Sequence, residues 1–139
     1  MTIHSETETP GKARQIITID AHTLYADETG ELGGTAPSPH DYFDTALATC
    51  KAVTAHIYAR AHGIALERVV ADVERDASQE RQGTYVLTVK LRYEGALSEE
   101  DKERVHNVIE RCPLHKLMTT STVEIRQERV TSPAVTSSK

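Results

Sequence analysis

The sequence predicts one α+β domain in which a long central helix lies on an antiparallel sheet. Three observations predict this class. The 139-residue chain is 38% hydrophobic, and a chain of this size can bury roughly two-thirds of its unfolded surface. One helical segment is long enough to cross the whole domain. The strand segments come in adjacent pairs, in the order ββ-α-ββ-α-β, rather than alternating with helices as in a parallel sheet.

Charge and composition exclude several classes of function. The formal net charge is −5, so nonspecific binding to nucleic acid or to an anionic membrane is not expected. One Phe, five Tyr and no Trp are too few aromatic residues for a base-stacking platform. No apolar stretch reaches the length of a membrane span, and the polar start MTIHSETETPGK lacks the apolar segment of a secretion signal. We therefore expect a cytoplasmic protein.

The first paired elements are two short strands followed by an irregular connection. Gln15–Ile19 and His22–Ala26 are rich in β-branched and other strand-forming residues, and the short gap between them favours a hairpin. Residues 27–37 read DETGELGGTAP, and the glycines and the proline in this segment prevent regular structure.

The long central helix is predicted over Pro39–His62. Ser38 is a favourable N-cap, Pro39 suits the first helical position, and Asp41 places a carboxylate in the first turn. Gly63 supplies a natural end. At 1.5 Å per residue the helix is about 36 Å long, close to the roughly 37 Å diameter expected for a domain of this size. It must therefore be central.

Two faces of this helix carry different residues. At the helical period of 3.6 residues, Cys50 lies at the centre of the most apolar face. Its neighbours there are Phe43, Ala46, Leu47, Val53, Thr54, Ile57 and Ala61. Small residues form a stripe on the opposite side: Ala48, Ala52, Ala55 and Ala59. Such a stripe allows close approach either by a second subunit's helix or by the subunit's own sheet, and the sequence leaves both open.

The second half repeats the pattern of two strands and a helix. Arg68–Arg75 and Thr84–Tyr93 are predicted strands, and the second alternates apolar and polar residues, as expected for a half-buried sheet. A helix is expected to begin at Ser98, where Asp101 resembles a weakened capping box. Its apolar stripe runs through Val105, Val108, Ile109 and Cys112.

The C-terminal elements are shorter. Pro113 ends the second helix directly after Cys112, a helical turn is expected over Leu114–Met118, and a last strand around Thr122–Arg126 completes the predicted domain. Residues 1–11 and 131–139 are polar and are expected to be irregular.

The whole chain, residues 1–139, is thus predicted to be one domain. Its ordered core is expected over about residues 12–128.

The two cysteines are the strongest candidates for a reactive site. Cys50 and Cys112 each lie on the apolar stripe of a helix, and two cysteines are too few for a disulfide scaffold. If they meet, one could form a sulfenic acid and the other could close it to a disulfide. The alternative is that both are simply buried, as free cysteines often are. Cys112 and His115 alone do not make a zinc site, and no metal or cofactor is expected.

Two motifs resemble those of the OsmC/Ohr family of thiol-dependent peroxidases. They are GGTAPSPHDYFDTALATCKAVT, residues 33–54, and RCPLHKL, residues 111–117. The resemblance implies an OsmC-like fold, an intertwined homodimer, a peroxidatic Cys50 and a resolving Cys112.

The resemblance also implies an arginine that stabilises the thiolate. Arg14 is the only arginine before Cys50 and is therefore the candidate. His40 stands where well-studied members carry a glutamate that holds this arginine, which indicates a divergent branch. Asp41 and Glu31 are the nearby carboxylates that could replace that glutamate.

The function expected from the resemblance is reduction of organic hydroperoxides in oxidative stress defence. The path would run through a Cys50 sulfenic acid and a Cys50–Cys112 disulfide, which a cellular thiol or dithiol would reduce without a cofactor. The alternative is a non-catalytic dimeric module that binds a small apolar ligand at the subunit interface.

Overall fold

The computed structural model describes residues 1–131, which form two antiparallel sheets and three α-helices. The elements in chain order are β1 (Ile3–Thr7), β2 (Gln15–Ile19), β3 (His22–Ala26), α1 (Pro39–Ala61), β4 (Leu66–Asp76), β5 (Val86–Gly95), α2 (Glu99–Ile109) and α3 (Pro113–Thr119). Short 3-10 turns lie at Gly30–Leu32 and Glu80–Gln82. The α+β class and the antiparallel pairing predicted from the sequence are confirmed.

The N-terminal sheet has the strand order β1-β2-β3. The predicted β2–β3 hairpin is confirmed, and Asp20 in its turn has a positive φ of 51°, which aspartate tolerates better than most residues. The prediction of an irregular segment over residues 1–11 is wrong for Ile3–Thr7, which pairs with β2. All five residues of β1 are exposed. Backbone pairing and exposed side-chain hydrogen bonds that join Ser5 and Thr7 to Gln15 hold this strand, so it has no buried face that a sequence pattern could reveal.

The second sheet is the β4–β5 hairpin, in which Val73 pairs with Val89. Both strands were predicted: β4 extends beyond the predicted range at both ends, whereas β5 begins and ends two residues later than predicted. Along β5 the side chains of Leu87, Val89 and Leu91 are half-buried and Tyr93 is buried, while the residues between them are more exposed. Helix α1 packs against this sheet.

Helix α1 begins with a complete capping box. Ser38 Oγ accepts a hydrogen bond from the Asp41 backbone N–H at 3.2 Å, and Asp41 Oδ2 accepts one from the Ser38 N–H at 2.9 Å. The helix ends at Ala61, and Gly63 follows with a left-handed φ of 65°, a conformation in which glycine carries no Cβ penalty. Both predicted boundaries are therefore confirmed to within one residue.

The core lies between α1, the second sheet and α2. It consists of Ala55, Ala59, Ile64, Tyr93, Val105 and Ile109. Two of the stripe alanines, Ala55 and Ala59, are thus buried within the subunit, which decides between the two alternatives left open by the sequence.

The opposite face of α1, which carries Cys50, is not the core face. Phe43, Val53 and Ile57 are about half exposed on it. The helix approaches its own sheet through the alanine side because small residues allow the shortest distance. The bulky side is consequently left uncovered in one copy of the chain.

The C-terminal part agrees with the sequence in its helices but not in all their bounds. The prediction that the second helix continues to Cys112 is wrong: α2 ends at Ile109, and Cys112 has an extended backbone as the N-cap of α3, because proline disfavours helical geometry in the residue before it. Helix α2 begins after Ser98, and α3 includes the helical turn predicted over Leu114–Met118. The strand predicted over Thr122–Arg126 is wrong: these residues are exposed and pair with no strand in the described part of this copy. A β-rich segment without a neighbour gains no ladder hydrogen bonds.

Two further predictions concern the ends and the membrane. Of the irregular segment predicted over residues 131–139, all but Thr131 lies outside the described residues. In residues 1–131, no helix has both the length and the apolarity required to cross a bilayer.

Candidate active site

The structure brings Cys50 and Cys112 together. Cys50 lies in the middle of α1, and Cys112 is the N-cap residue of α3. The Cys50 thiol lies near enough to Cys112 to influence its pKa, and no disulfide joins the two cysteines. Helix α1 carries Cys50 to this point, while Pro113, the first residue of α3, keeps Cys112 out of the helical conformation. The predicted meeting of two residues far apart in the chain is observed.

The two thiols differ in their access to solvent. Cys112 is only 1% exposed, whereas Cys50 is partly exposed and lies 3.9 Å from Thr54 Oγ1. A molecule arriving from solvent therefore reaches Cys50 first. Cys112 can react only with a group that Cys50 presents to it.

The surroundings of Cys112 favour the protonated thiol. Burial raises the pKa of Cys112 above its ordinary value, and the neighbouring Cys50 thiol raises it further. Two groups lower this pKa: the backbone N–H of His115, and the positive charge of Lys51. The His115 N–H does not reach the geometry of a formed cap hydrogen bond, so we regard it as a weak contact. Lys51 is the only full positive charge among these influences.

Lys51 is a site residue that the sequence analysis missed. It is buried, at 6% exposure, and its Nζ donates to Ile109 O at 3.2 Å and to Glu110 O at 3.3 Å. Its Nζ also lies 3.3 Å from His115 Nδ1. A signal was present in the sequence, because Lys51 stands one turn from Leu47 and one turn from Ala55, both of which are buried. A lone charge on a buried helix face indicates a specific partner.

The model of the OsmC-like protein family matches residues 32–128. The chain belongs to the OsmC family. Several solved structures share its fold, including the following two. An OsmC-like protein from Mycoplasma pneumoniae superposes with a TM-score of 0.70 at 17% identity, covering 86% of each chain. The organic hydroperoxide resistance protein OhrB of Bacillus subtilis superposes with a TM-score of 0.58 at 20% identity, covering 86% of this chain and 90% of its own. No curated protein matches the sequence.

Arg14 of this OsmC-family protein contacts residues of the N-terminal sheet and of the segment that precedes α1. Its Nε lies 3.0 Å from Glu8 Oε1, its Nη1 donates to Thr35 O and Oγ1 at 3.0 and 2.8 Å, and its guanidinium lies over the Tyr25 ring. Within residues 1–131 of one copy it has no polar contact with Cys50. Its role as the thiolate partner therefore stays a prediction.

The carboxylate that holds Arg14 differs from the ones the sequence suggested. Glu8 pairs with Arg14, whereas Asp41 pairs with Arg75, and Glu31 is exposed. The strand β1 was not predicted, and Glu8 follows directly after it. The correct partner was therefore not among the candidates.

His40 contacts Glu80, and not the arginine that a family glutamate at this position would hold. Its Nε2 lies 2.9 Å from Glu80 Oε2, and its ring lies near that of Tyr85. Together with Pro39 and Phe43, these residues line an open cavity of about 380 Å³.

A second charged cluster, also missed by the sequence analysis, ties α1 to the sheet. Arg75 Nη2 donates to Asp41 Oδ1 and Arg75 Nε donates to Asp44 Oδ2, both at 2.6 Å. The Tyr85 hydroxyl donates to Asp44 Oδ1 at 2.8 Å. The two aspartates, Asp41 first and then Asp44, raise the pKa of Arg75. This cluster holds the first turns of α1 in a defined orientation above β4 and β5.

Of Cys112 and His115, the pair considered as a metal site, His115 contacts a lysine instead. His115 Nδ1 faces Lys51 Nζ. Among residues 1–131, no group of three or more His, Cys, Asp or Glu side chains is arranged to hold a metal ion.

We expect the stabilising effect of the Asp41 carboxylate to disappear in acid. The backbone N–H of Ser38, and next the Arg75 guanidinium, hold the pKa of Asp41 below its ordinary value. A carboxyl group with a lowered folded-state pKa stabilises the fold above its unfolded-state pKa and loses this effect as the pH falls through the folded-state value. Asp41→Asn should therefore be less stable than wild type at neutral pH, by roughly 1 kcal/mol or less because the side chain is half exposed. The two unfolding free energies, measured by urea titration, should converge in acid; a constant difference would contradict the assignment.

Proposed function

We propose that this OsmC-family protein is a cysteine-based peroxidase that reduces organic hydroperoxides. The observation that carries the proposal is the contact between a partly exposed Cys50 and a buried Cys112. This asymmetry fits a nucleophile that meets the substrate and a second cysteine that reacts only afterwards. The structural similarity to an organic hydroperoxide resistance protein supports the same chemistry.

The proposed reaction has three steps in which electrons balance. The Cys50 thiolate attacks the distal oxygen of the hydroperoxide, the O–O bond breaks, and the alcohol leaves after taking a proton. Cys112 then attacks the sulfur of the Cys50 sulfenic acid; the S–S bond forms, the S–O bond breaks, and water leaves with the proton of the Cys112 thiol. A cellular thiol or dithiol finally reduces the disulfide by thiol–disulfide exchange and is itself oxidised. The hydroperoxide has gained the two electrons that the reductant has lost.

The surface around the site favours an organic substrate. Phe43, Val53 and Ile57 expose apolar surface on the Cys50 face of α1. Phe43 also lines a second cavity, of about 490 Å³, with Leu47, Tyr85, Val86, Leu87, His115 and Met118 among its other walls. An alkyl tail that buries surface here gains about 25 cal/mol per Å². Hydrogen peroxide has no tail and gains nothing.

A homodimer is part of the proposal. The Cys50 face of α1 is apolar and uncovered in one copy, and contiguous apolar surface of this kind marks an interaction site. The N-terminal sheet makes its main contacts among its own strands, so one of its faces is also available to a second copy. Light scattering should give twice the 15.4 kDa mass of the chain.

Mass spectrometry after a stoichiometric pulse of cumene hydroperoxide tests the proposal. We expect loss of two hydrogens per chain and a tryptic peptide that joins Cys50 to Cys112. The matched control omits the hydroperoxide and should show two alkylatable thiols. Two unmodified thiols after the pulse would contradict the peroxidase and favour a module that binds a small apolar ligand without reacting.

A further inference from the structure

The buried Lys51 contacts the chain on both sides of Cys112. On the N-terminal side of Cys112, Lys51 Nζ donates hydrogen bonds to the carbonyl oxygens of Ile109 and Glu110, at the end of α2. On the C-terminal side it faces His115 Nδ1, in the first turn of α3. The turn that carries Cys112 is therefore held at both ends by one side chain. That side chain comes from the residue next to Cys50.

The three contacts match the chemistry of an ammonium group. A protonated lysine has three N–H donors and no acceptor, and three acceptors surround this one. Two of them are carbonyls at the end of a helix, where a positive charge is favourable. Burying a charge is costly unless it is paired and hydrogen-bonded. A methionine or leucine would fill the space without that cost, so packing alone does not explain a lysine here.

We propose that Lys51 is a positioning residue for the disulfide-forming step: it holds Cys112 against Cys50 and its charge stabilises the Cys112 thiolate that attacks the sulfenic acid. This inference rests on the proposed peroxidase function. It concerns the second step alone, because the partly exposed Cys50 meets the hydroperoxide before Cys112 takes part.

The Lys51 charge matters because burial and the neighbouring Cys50 thiol both oppose ionisation of Cys112. Burial and the Cys50 contact both raise the pKa of Cys112, while Lys51 and the His115 N–H lower it. The remaining charged groups near the turn, Glu110 and Arg111, are exposed and therefore screened by solvent. Removal of the Lys51 charge should thus lower the fraction of Cys112 thiolate near neutral pH. Each unit of pKa change alters that fraction about tenfold.

The test separates the first step from the second in Lys51→Met. Protein is treated with one equivalent of cumene hydroperoxide, and samples are quenched over time with dimedone and with an alkylating reagent. Mass spectrometry then gives the rates of sulfenic acid and disulfide formation from pH 6 to pH 9, a range within which a thiol of ordinary pKa begins to ionise. We expect the first rate to stay within about twofold of wild type. Disulfide formation should slow about tenfold or more near neutral pH and recover as the pH rises.

Three variants control for a purely structural effect. Lys90→Met removes an exposed lysine that pairs with Glu74 and should leave both rates unchanged. Lys51→Arg keeps the charge and should keep the wild-type pH profile. Lys51→Gln is neutral but retains N–H donors for the two carbonyls, and it provides the same test if Lys51→Met does not fold.

Each result decides between the two proposals. If the Lys51→Met or Lys51→Gln protein forms the disulfide at the wild-type rate, or is slowed equally at every pH, the role of the charge is overturned. If wild type itself forms neither sulfenic acid nor disulfide, the peroxidase proposal fails instead. A slow step that recovers with rising pH in both neutral variants, and not in Lys51→Arg, supports the assignment.

Discussion

Replacement of Cys50 by serine is expected to reduce hydroperoxide consumption to the uncatalysed background, a loss of roughly a thousandfold or more. Losses of this size or larger follow removal of the nucleophile in a covalent mechanism. A serine hydroxyl is far less acidic than a thiol and has no adjacent general base among its observed contacts, which in wild type are Thr54 and Cys112. Consumption of cumene hydroperoxide in the presence of excess dithiothreitol measures the effect.

Cys112→Ser provides the matched control because it removes the other thiol of the pair. This variant should still consume one equivalent of hydroperoxide per chain and should then accumulate a Cys50 sulfenic acid, which dimedone traps. Wild type should show the disulfide instead. If Cys50→Ser and Cys112→Ser lose the first equivalent equally, the assignment of separate roles is wrong.

Replacement of Asp44 by alanine is expected to lower the free energy of unfolding by about 3 kcal/mol. Breaking a buried ion pair by removing one partner costs roughly 3–5 kcal/mol. The Asp44 side chain is 9% exposed, but that of Arg75 is 33% exposed and keeps its bond to Asp41, so water and Asp41 compensate part of the loss and the lower end of the range applies. Tyr85 also loses the acceptor for its hydroxyl.

Urea unfolding measures this effect, and the chain offers a matched control. Asp72 lies on β4 with an exposed side chain, so Asp72→Ala should change stability by no more than about 0.5 kcal/mol. Tyr85→Phe should lie between the two, near 1 kcal/mol, because it removes one hydrogen bond and leaves the ion pair in place. Equal stability of the two alanine variants would show that the Arg75 cluster does not tie α1 to the sheet.

The parts of the fold that local chemistry determines were predictable. Ser38, Asp41 and Gly63 define the ends of α1 through contacts within a few residues of the chain. The alternation of apolar and polar residues along β5 matches the alternation of its more buried and more exposed side chains. By contrast, β1 has no buried side, and Thr122–Arg126 has a strand-like composition without a neighbouring strand in the described chain.

The candidate site was only partly predictable because its contacts are long-range. Helical periodicity placed Cys50 and Cys112 on apolar stripes, but only the resemblance to a family indicated that they meet. Residues near Lys51 and Arg75 in the sequence do not indicate what these two side chains contact. Lys51 contacts Ile109, which is 58 residues away, and Arg75 contacts Asp44, which is 31 residues away. The orientation of α1 was left open by the sequence, because both of its sides carry apolar residues. Its alanine side faces the core, whereas its bulky side faces outward.

This orientation of α1 links assembly to reactivity. The uncovered residues Phe43, Val53 and Ile57 share their face of α1 with Cys50. Anything that shields those three side chains from water therefore also narrows the approach to the Cys50 sulfur. In the proposed homodimer, dissociation into single chains on dilution would therefore widen this approach and expose the apolar face, so the protein concentration would affect how readily the Cys50 sulfur is reached.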